Sequence, residues 1–126
     1  MKDELHGKVL SYAIKVIVFS GKLPDTPELQ YLKSRLIVCV SEFCENCSEA
    51  LSLQNSNGWE QRMRTGLHRL NVCVRLLLVI EKKSKNTDKL FAADFASIIT
   101  EAEELKNTLL GHKGLHTGSG GHIPVC

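Results

Sequence analysis

No apolar run in this 126-residue chain approaches the roughly 20 residues that a membrane span needs, so a transmembrane helix is not expected. The start does not read as a secretory signal either. Met1-Lys2-Asp3-Glu4 carries acids, and the apolar stretch from Val9 to Phe19 is broken by Ser11 and Lys15. The alternation of apolar and polar residues that marks a half-buried strand occurs nowhere, which excludes a sheet protein. Cysteine is odd in number (Cys39, Cys44, Cys47, Cys73 and Cys126), and four of the five fall inside apolar helical patterns. That usage suits a reducing compartment, where cysteine acts as a small core residue, and it points to the cytoplasm. The net charge of +2 is too small to argue for nucleic acid by itself. Catalytic signals are sparse as well. There is no nucleophile–base constellation, no glycine-rich phosphate loop after a strand, and no Glu-x-x-His pair of the kind that builds di-metal bundle cores. Neither an enzyme nor a bound cofactor is expected.

What the chain does contain is helical periodicity. A hydrophobic fraction of 43% and a charged fraction of 24% are those of one ordinary globular domain. From Asp3 to about Ser20, the residues Leu5, Val9, Tyr12, Ala13, Val16 and Phe19 recur at three- and four-residue spacing. Gly21 and Pro24 end that helix, and Thr26-Pro27 caps and opens the next. The second helix runs to about Leu53 on Leu29, Leu32, Leu36, Cys39 or Val40, Phe43, Cys47 and Ala50. The third runs from about Gly58 to Ser84 on Trp59, Met63, Leu67, Leu70, Val74 and Leu77, with Cys73, Leu76, Leu78 and Ile80 as a second stripe. The last carries Phe91, Phe95, Ile98, Ala102, Leu105 and Leu109, and ends at Gly111.

Three short joints between long helices make neighbours antiparallel, which predicts an all-α, up-down-up-down four-helix bundle over residues 1–111. Residues 112–126 hold much of the chain's glycine, lose apolar periodicity, and read as a flexible tail. The first and third helices are apolar over more circumference than one core requires. In the first helix the excess is Leu10, Ile14, Ile17 and Val18. Two readings stay open: exposed aliphatics of the ordinary kind, or a second buried face and hence a homo-oligomer.

Several groups suggest chemistry. Cys44-Glu45-Asn46-Cys47 is a C-x-x-C, but it lies in mid-helix and not at the helix start where such motifs work in redox proteins. A structural role is expected for it, and none in metal binding. His112, His116 and His122 belong to the tail, where Gly114 discourages a helical ligand pair. Charge segregation is more informative. From Gly58 to Ser84, Arg62, Arg64, Arg69, Arg75, Lys82 and Lys83 oppose only Glu60 and Glu81, which gives +4 (six bases less two acids). From Thr87 to Gly111, Lys89 and Lys106 face five acids, which gives −3. The third-helix arginines, extended by Lys82, Lys83 and Lys85, have the spacing to follow a phosphate backbone. The competing reading pairs them with Glu42, Glu45 or Glu49 of the second helix, or with the acids of the last, inside the bundle or across a subunit interface.

The order of features resembles the family of small four-helix bundle proteins first met as open reading frames in intervening sequences of bacterial large-subunit ribosomal RNA. The resemblance covers residues 3 to 111 and rests on three elements. These are the Leu23-Pro24-Asp25-Thr26 joint, Asn46-Cys47-Ser48-Glu49-Ala50 in the second helix, and Glu101-Ala102-Glu103-Glu104-Leu105 in the last. The chain departs from the family at Arg35, where a Gln is usual, and at Glu42, where a small Ser is usual. The family's acidic third helix is also replaced, here by His68-Arg69-Leu70-Asn71 and Arg75. That basic helix is similar to a related branch, the accessory proteins of diversity-generating retroelements. Those form pentameric barrels and assist a reverse transcriptase by binding it and its RNA.

The resemblance implies a homopentamer and the binding of RNA or a reverse transcriptase–RNA complex. The expected function is therefore a non-enzymatic homo-oligomer that binds RNA through Arg62, Arg64, Arg69, Arg75, Lys82, Lys83 and Lys85. The alternative is a protein-interaction scaffold with no nucleic acid.

Overall fold

Local chemistry sets the end of the first helix, both ends of the second and the start of the third. The computed structural model describes residues 2–53, 57–83 and 90–111, with the side chains of 4–53, 57–83 and 93–111. The expected tail, Lys85, Lys89 and the side chain of Phe91 lie outside these residues. Four helices follow in order: α1 (Lys2–Gly21), α2 (Pro27–Ser52), α3 (Trp59–Lys83) and α4 (Leu90–Gly111), with no strand among the described residues. The α1 end tightens into two short turns, with the Lys22 and Leu23 amides donating to the Phe19 and Ser20 carbonyls. Thr26 then caps α2: its Oγ1 accepts from the Leu29 amide at 3.2 Å, and Pro27 occupies the first turn, where a missing N–H costs nothing. At the far end the Leu53 amide donates to the Glu49 and Ala50 carbonyls, both at 3.0 Å. Gly58 stands at φ +93°, a left-handed conformation that suits glycine, and its carbonyl accepts the Arg62 amide as α3 begins.

The four helices close a ring in which each packs on its neighbours in sequence, and α4 returns to α1. Numbers fall on one helix as they rise on the next. Across α1 and α2, His6 Nε2 meets the Ser48 carbonyl at 3.1 Å, and the Tyr12 and Phe43 rings meet edge-on at 6.2 Å. Between α1 and α4, the Tyr12 hydroxyl donates to the Ile98 carbonyl, and Phe19 packs edge-on against Phe95 at 4.9 Å. The result is an antiparallel four-helix bundle. Its core is the expected set: Leu5, Val9, Tyr12, Val16 and Phe19 from α1 are buried with Leu36, Phe43 and Cys47, Met63, Leu70 and Leu77, and Phe95, Ile98 and Leu109. Among the described residues no helix is long and apolar enough to cross a membrane.

The surplus apolar residues divide differently from expectation. On α1, Leu10, Ile14, Ile17 and Val18 are exposed, with Leu10 at 53% and Val18 at 55%. On α3, Leu76 and Ile80 turn inward and only Leu78 and Val79 face out. The second exposed apolar strip belongs to α2, where Tyr31, Ile37 and Val38 lie open.

The tightest of the four seams joins α2 to α3, and glycine sets its spacing. A Cβ built on Gly66 would lie 2.5 Å from Cys47 Sγ and 3.2 Å from the Cys47 amide nitrogen. Neither atom can yield: the thiol is fully buried and the nitrogen belongs to the α2 backbone. Gly66→Ala should therefore destabilise the bundle by about 1–3 kcal/mol in urea unfolding, despite the helix-propensity gain of about 1 kcal/mol that alanine brings elsewhere. In a Cys47→Ala background, which removes the nearer atom, the loss from Gly66→Ala should shrink by roughly half.

Candidate nucleic-acid interface

The bases of α3 lie along two edges of the helix. Arg62, Arg69 and Lys83 are separated by multiples of seven residues and share the edge that meets α2. There each finds a glutamate at the same seven-residue spacing. Arg62 Nε lies 3.3 Å from Glu49 Oε1, Arg69 Nε 3.2 Å from Glu42 Oε1, and Lys83 Nζ 3.0 Å from Glu28 Oε2. Arg62 also donates from a terminal nitrogen to Asn46 Oδ1 at 3.1 Å, and Asn46 in turn donates to the Glu42 carbonyl. These are half-exposed ion pairs, worth about 0.2–1 kcal/mol each at low salt. Their larger consequence is to neutralise three of the seven expected contact residues within the chain itself.

The opposite edge is different. His68, Arg75 and Lys82 stand seven residues apart, all exposed, and none makes an ion pair or hydrogen bond among the described residues. Arg64 lies on the same side but donates to Glu60 one turn back, at 2.7 Å. The acids of α4 do not reach this stripe. Glu101 takes Lys15 of α1 at 2.7 Å, and Glu103 stands 3.9 Å from Lys106 on its own helix. Lys106 also donates to Asn71 Oδ1 across the α3–α4 seam. Lys85 falls outside the described residues.

One cation that the charge count of α3 passes over lies on α2. Arg35 is exposed, makes no ion pair among the described residues, and borders a groove on the α2–α3 seam with Tyr31, Val38, Cys39, Glu42 and Arg69. A second, larger groove of about 750 Å³ runs between α1 and α4, walled by small and hydroxyl residues such as Gly7, Ser11, Ser97 and Thr100. Glu4, Lys8, Glu101 and Glu104 also line it, and Glu101 is engaged by Lys15 at 2.7 Å.

Cys39, Cys47 and Cys73 are buried in the core, and Cys44 is half-buried against it. Cys47 is fully buried in the α2–α3 seam, and burial pushes its thiol up to about 12, with Cys44 adding to the shift. Burial also pushes Cys73 up to about 12, and the neighbouring Cys39 and Glu42 raise it further. A thiol so placed stays protonated and is a poor nucleophile and a poor metal ligand. Among the described residues, no three His, Cys, Asp or Glu side chains are placed to hold a metal ion. The buried Tyr12 hydroxyl is likewise raised above its ordinary value, first by burial and then by nearby acidic groups.

Comparison of the chain with protein-family models, with curated proteins and with solved structures finds no match. The functional reading therefore rests on the geometry above and on the resemblance carried by the sequence motifs.

Raised thiol values have a thermodynamic consequence with a definite sign. Burial raises both thiols from 9.0 to about 12, so the unfolded chain loses protons first as pH rises. Their contribution is fully present below about pH 9 and is lost between 9 and 12. Urea midpoints measured from pH 7 to 10 should hold steady and then fall above 9. In the Cys47→Ala, Cys73→Ala double variant that fall should be shallower, from a lower starting stability.

Proposed function

We propose that this chain is a non-enzymatic, cytoplasmic, homo-oligomeric helical bundle that binds RNA or a ribonucleoprotein through the outer edge of α3. The observation that carries the reading is the unpartnered stripe His68, Arg75 and Lys82, with Arg64 beside it. Arg75 and Lys82, cations seven residues apart on a rigid helix and not paired by the fold, suit contact with successive phosphates, and arginine adds a planar fork that grips two oxygens. The α3-wide face expected from sequence thus narrows to one edge, because Arg62, Arg69 and Lys83 already have glutamate partners. Self-association is supported by Leu10, Ile14, Ile17 and Val18, a continuous exposed apolar face on α1. Its extension to a pentamer that assists a reverse transcriptase comes from the resemblance to retroelement accessory proteins.

A second reading has its own observation. The three α2–α3 ion pairs absorb half of the positive charge on α3, which suits a scaffold whose charges serve its own fold.

Fluorescence anisotropy of a labelled structured RNA, at about 50 and 200 mM salt, separates the two. RNA binding should weaken steeply with salt, and Arg75→Gln with Lys82→Gln should flatten the log–log slope by about 1.4–1.8. Arg62→Gln with Arg69→Gln should instead lower stability slightly and leave the slope nearly unchanged. No binding at the lower salt would remove the RNA reading and leave the scaffold. Self-association has a separate check, the mass in solution at micromolar concentration: the native chain should exceed one subunit, and Leu10→Glu with Val18→Glu should return it to one.

A further inference from the structure

The ion-pair ladder across α2 and α3 has rungs at Glu49/Arg62, Glu42/Arg69 and Glu28/Lys83. Seven-residue steps require one more, at positions 35 and 76, between the second and third. There α2 carries Arg35 and α3 carries Leu76, a buried apolar residue. The rung is missing, so Arg35 is left without an acid opposite. Beside it the seam opens into a groove of about 370 Å³ lined by Tyr31, Arg35, Val38, Cys39, Glu42 and Arg69. Tyr31 precedes Arg35 by one turn and is 64% exposed, more than any other large apolar residue described. The fold uses its ring for nothing: no aromatic neighbour, hydrogen bond or ion pair engages it among the described residues. Val38, two turns along the same helix face, is 55% exposed.

We propose that this groove binds one unstacked nucleotide of single-stranded RNA, the base lying on Tyr31 against Val38 and the adjoining phosphate held by Arg35. The inference rests on the RNA reading above and adds to it a second contact surface, a preferred strandedness and a residue set centred on α2. Two properties of the groove select this occupant over a purely apolar partner. An exposed aromatic face stacks any base, and an unpaired guanidinium one helical turn away supplies the charge that a nucleotide carries beside its base. Arg69 is held by Glu42 at 3.2 Å, so the groove keeps a net positive charge from Arg35 while its far wall is neutral. That polarity orients the phosphate toward Arg35 and away from the Glu42 carboxylate. A paired duplex does not satisfy the site, because its bases are already stacked and its edges cannot lie flat on Tyr31.

Anisotropy titrations with two labelled RNAs test the inference: an unstructured strand of about ten nucleotides, within the range one such surface covers, and a blunt hairpin duplex closed by a non-nucleotide linker. Tyr31→Ala should weaken binding of the single strand on the order of tenfold, and Tyr31→Phe, which keeps the ring, should leave it near native. Arg35→Gln should weaken the single strand and reduce its salt slope by about 0.7, one phosphate contact. Hairpin affinity should be unchanged in all three variants. A Tyr31→Ala protein that binds the single strand normally overturns the inference and leaves the RNA reading standing, as does native protein that binds only the hairpin. Loss of binding in Tyr31→Phe as well would exclude stacking. A fall in solution mass of the Tyr31→Ala protein would assign the ring to a contact between copies or to another protein, and overturn the nucleotide site. Failure of the native protein to bind either RNA is a different result, since it removes the RNA reading itself.

Discussion

The contact on which most of the molecule depends is the approach of α2 to α3 at Gly66, where the absence of a side chain lets the Cys47 thiol and backbone fill the space a Cβ would occupy. Close packing of two backbones fixes three things together. It brings the helices near enough for side chains from both edges to meet over the seam. It sets their relative rotation, since only one face of α3 has no Cβ at that level. It also pins the register, so that residues seven apart on one helix meet residues seven apart on the other. The ladder of Glu49 with Arg62 and Glu42 with Arg69 is a consequence of that register more than its cause, because half-exposed pairs are too weak to impose it. α1 and α4 then cover the remaining faces of the pair, linked to each other through Tyr12 and Phe19.

The same register decides which charges the fold uses. Counted by segment, α3 is strongly basic and the stretch containing α4 is acidic, so the acids of α4 and the glutamates of α2 are both candidate partners. The acids of α4 pair with α3 hardly at all among the described residues. Neutralisation comes from α2, whose Glu28, Glu42 and Glu49 match the spacing of Lys83, Arg69 and Arg62. A segment's net charge carries no information about the direction in which each side chain points. A seven-residue spacing does, and it separates Arg62 and Arg69 from His68, Arg75 and Lys82 once the neighbour of each edge is known.

That distinction marks how far the sequence could be read. Periodicity of three and four residues identifies which positions share a face, and for Val9, Tyr12, Leu36, Phe43, Leu70, Leu77 and Phe95 the face is the core. Turn chemistry is equally local, so Thr26-Pro27 and the ends of α1 and α4 fall within a residue or two of expectation. Exposure of a second apolar strip is not local. Tyr31 and Val38 fall off the three-and-four stripe of α2, and their exposure follows from the neighbouring helices leaving them uncovered. Gly66 is similar: an isolated glycine in a helical pattern signals either a weak point or a close approach, and only the partner helix distinguishes the two. Arg35 stands out in sequence as a departure from the family it resembles, yet its lack of an acid opposite depends on Leu76, a residue 41 positions away.

The ring order of the helices also determines whether self-assembly and RNA contact can coexist. Each helix packs on its sequence neighbours, so α1 and α3 sit diagonally across the bundle. An assembly that buried Leu10, Ile14 and Val18 would use the side of the bundle away from α3. Weak sites repeated around one assembly act together. A phosphate stripe and a single-nucleotide groove are each modest as isolated contacts, but one RNA engaging several copies would gain from an effective local concentration that no single subunit offers. In the proposed reading, assembly through the exposed apolar face of α1 would raise the affinity of a surface on which each subunit offers few unpaired cations, Arg35, Arg75 and Lys82.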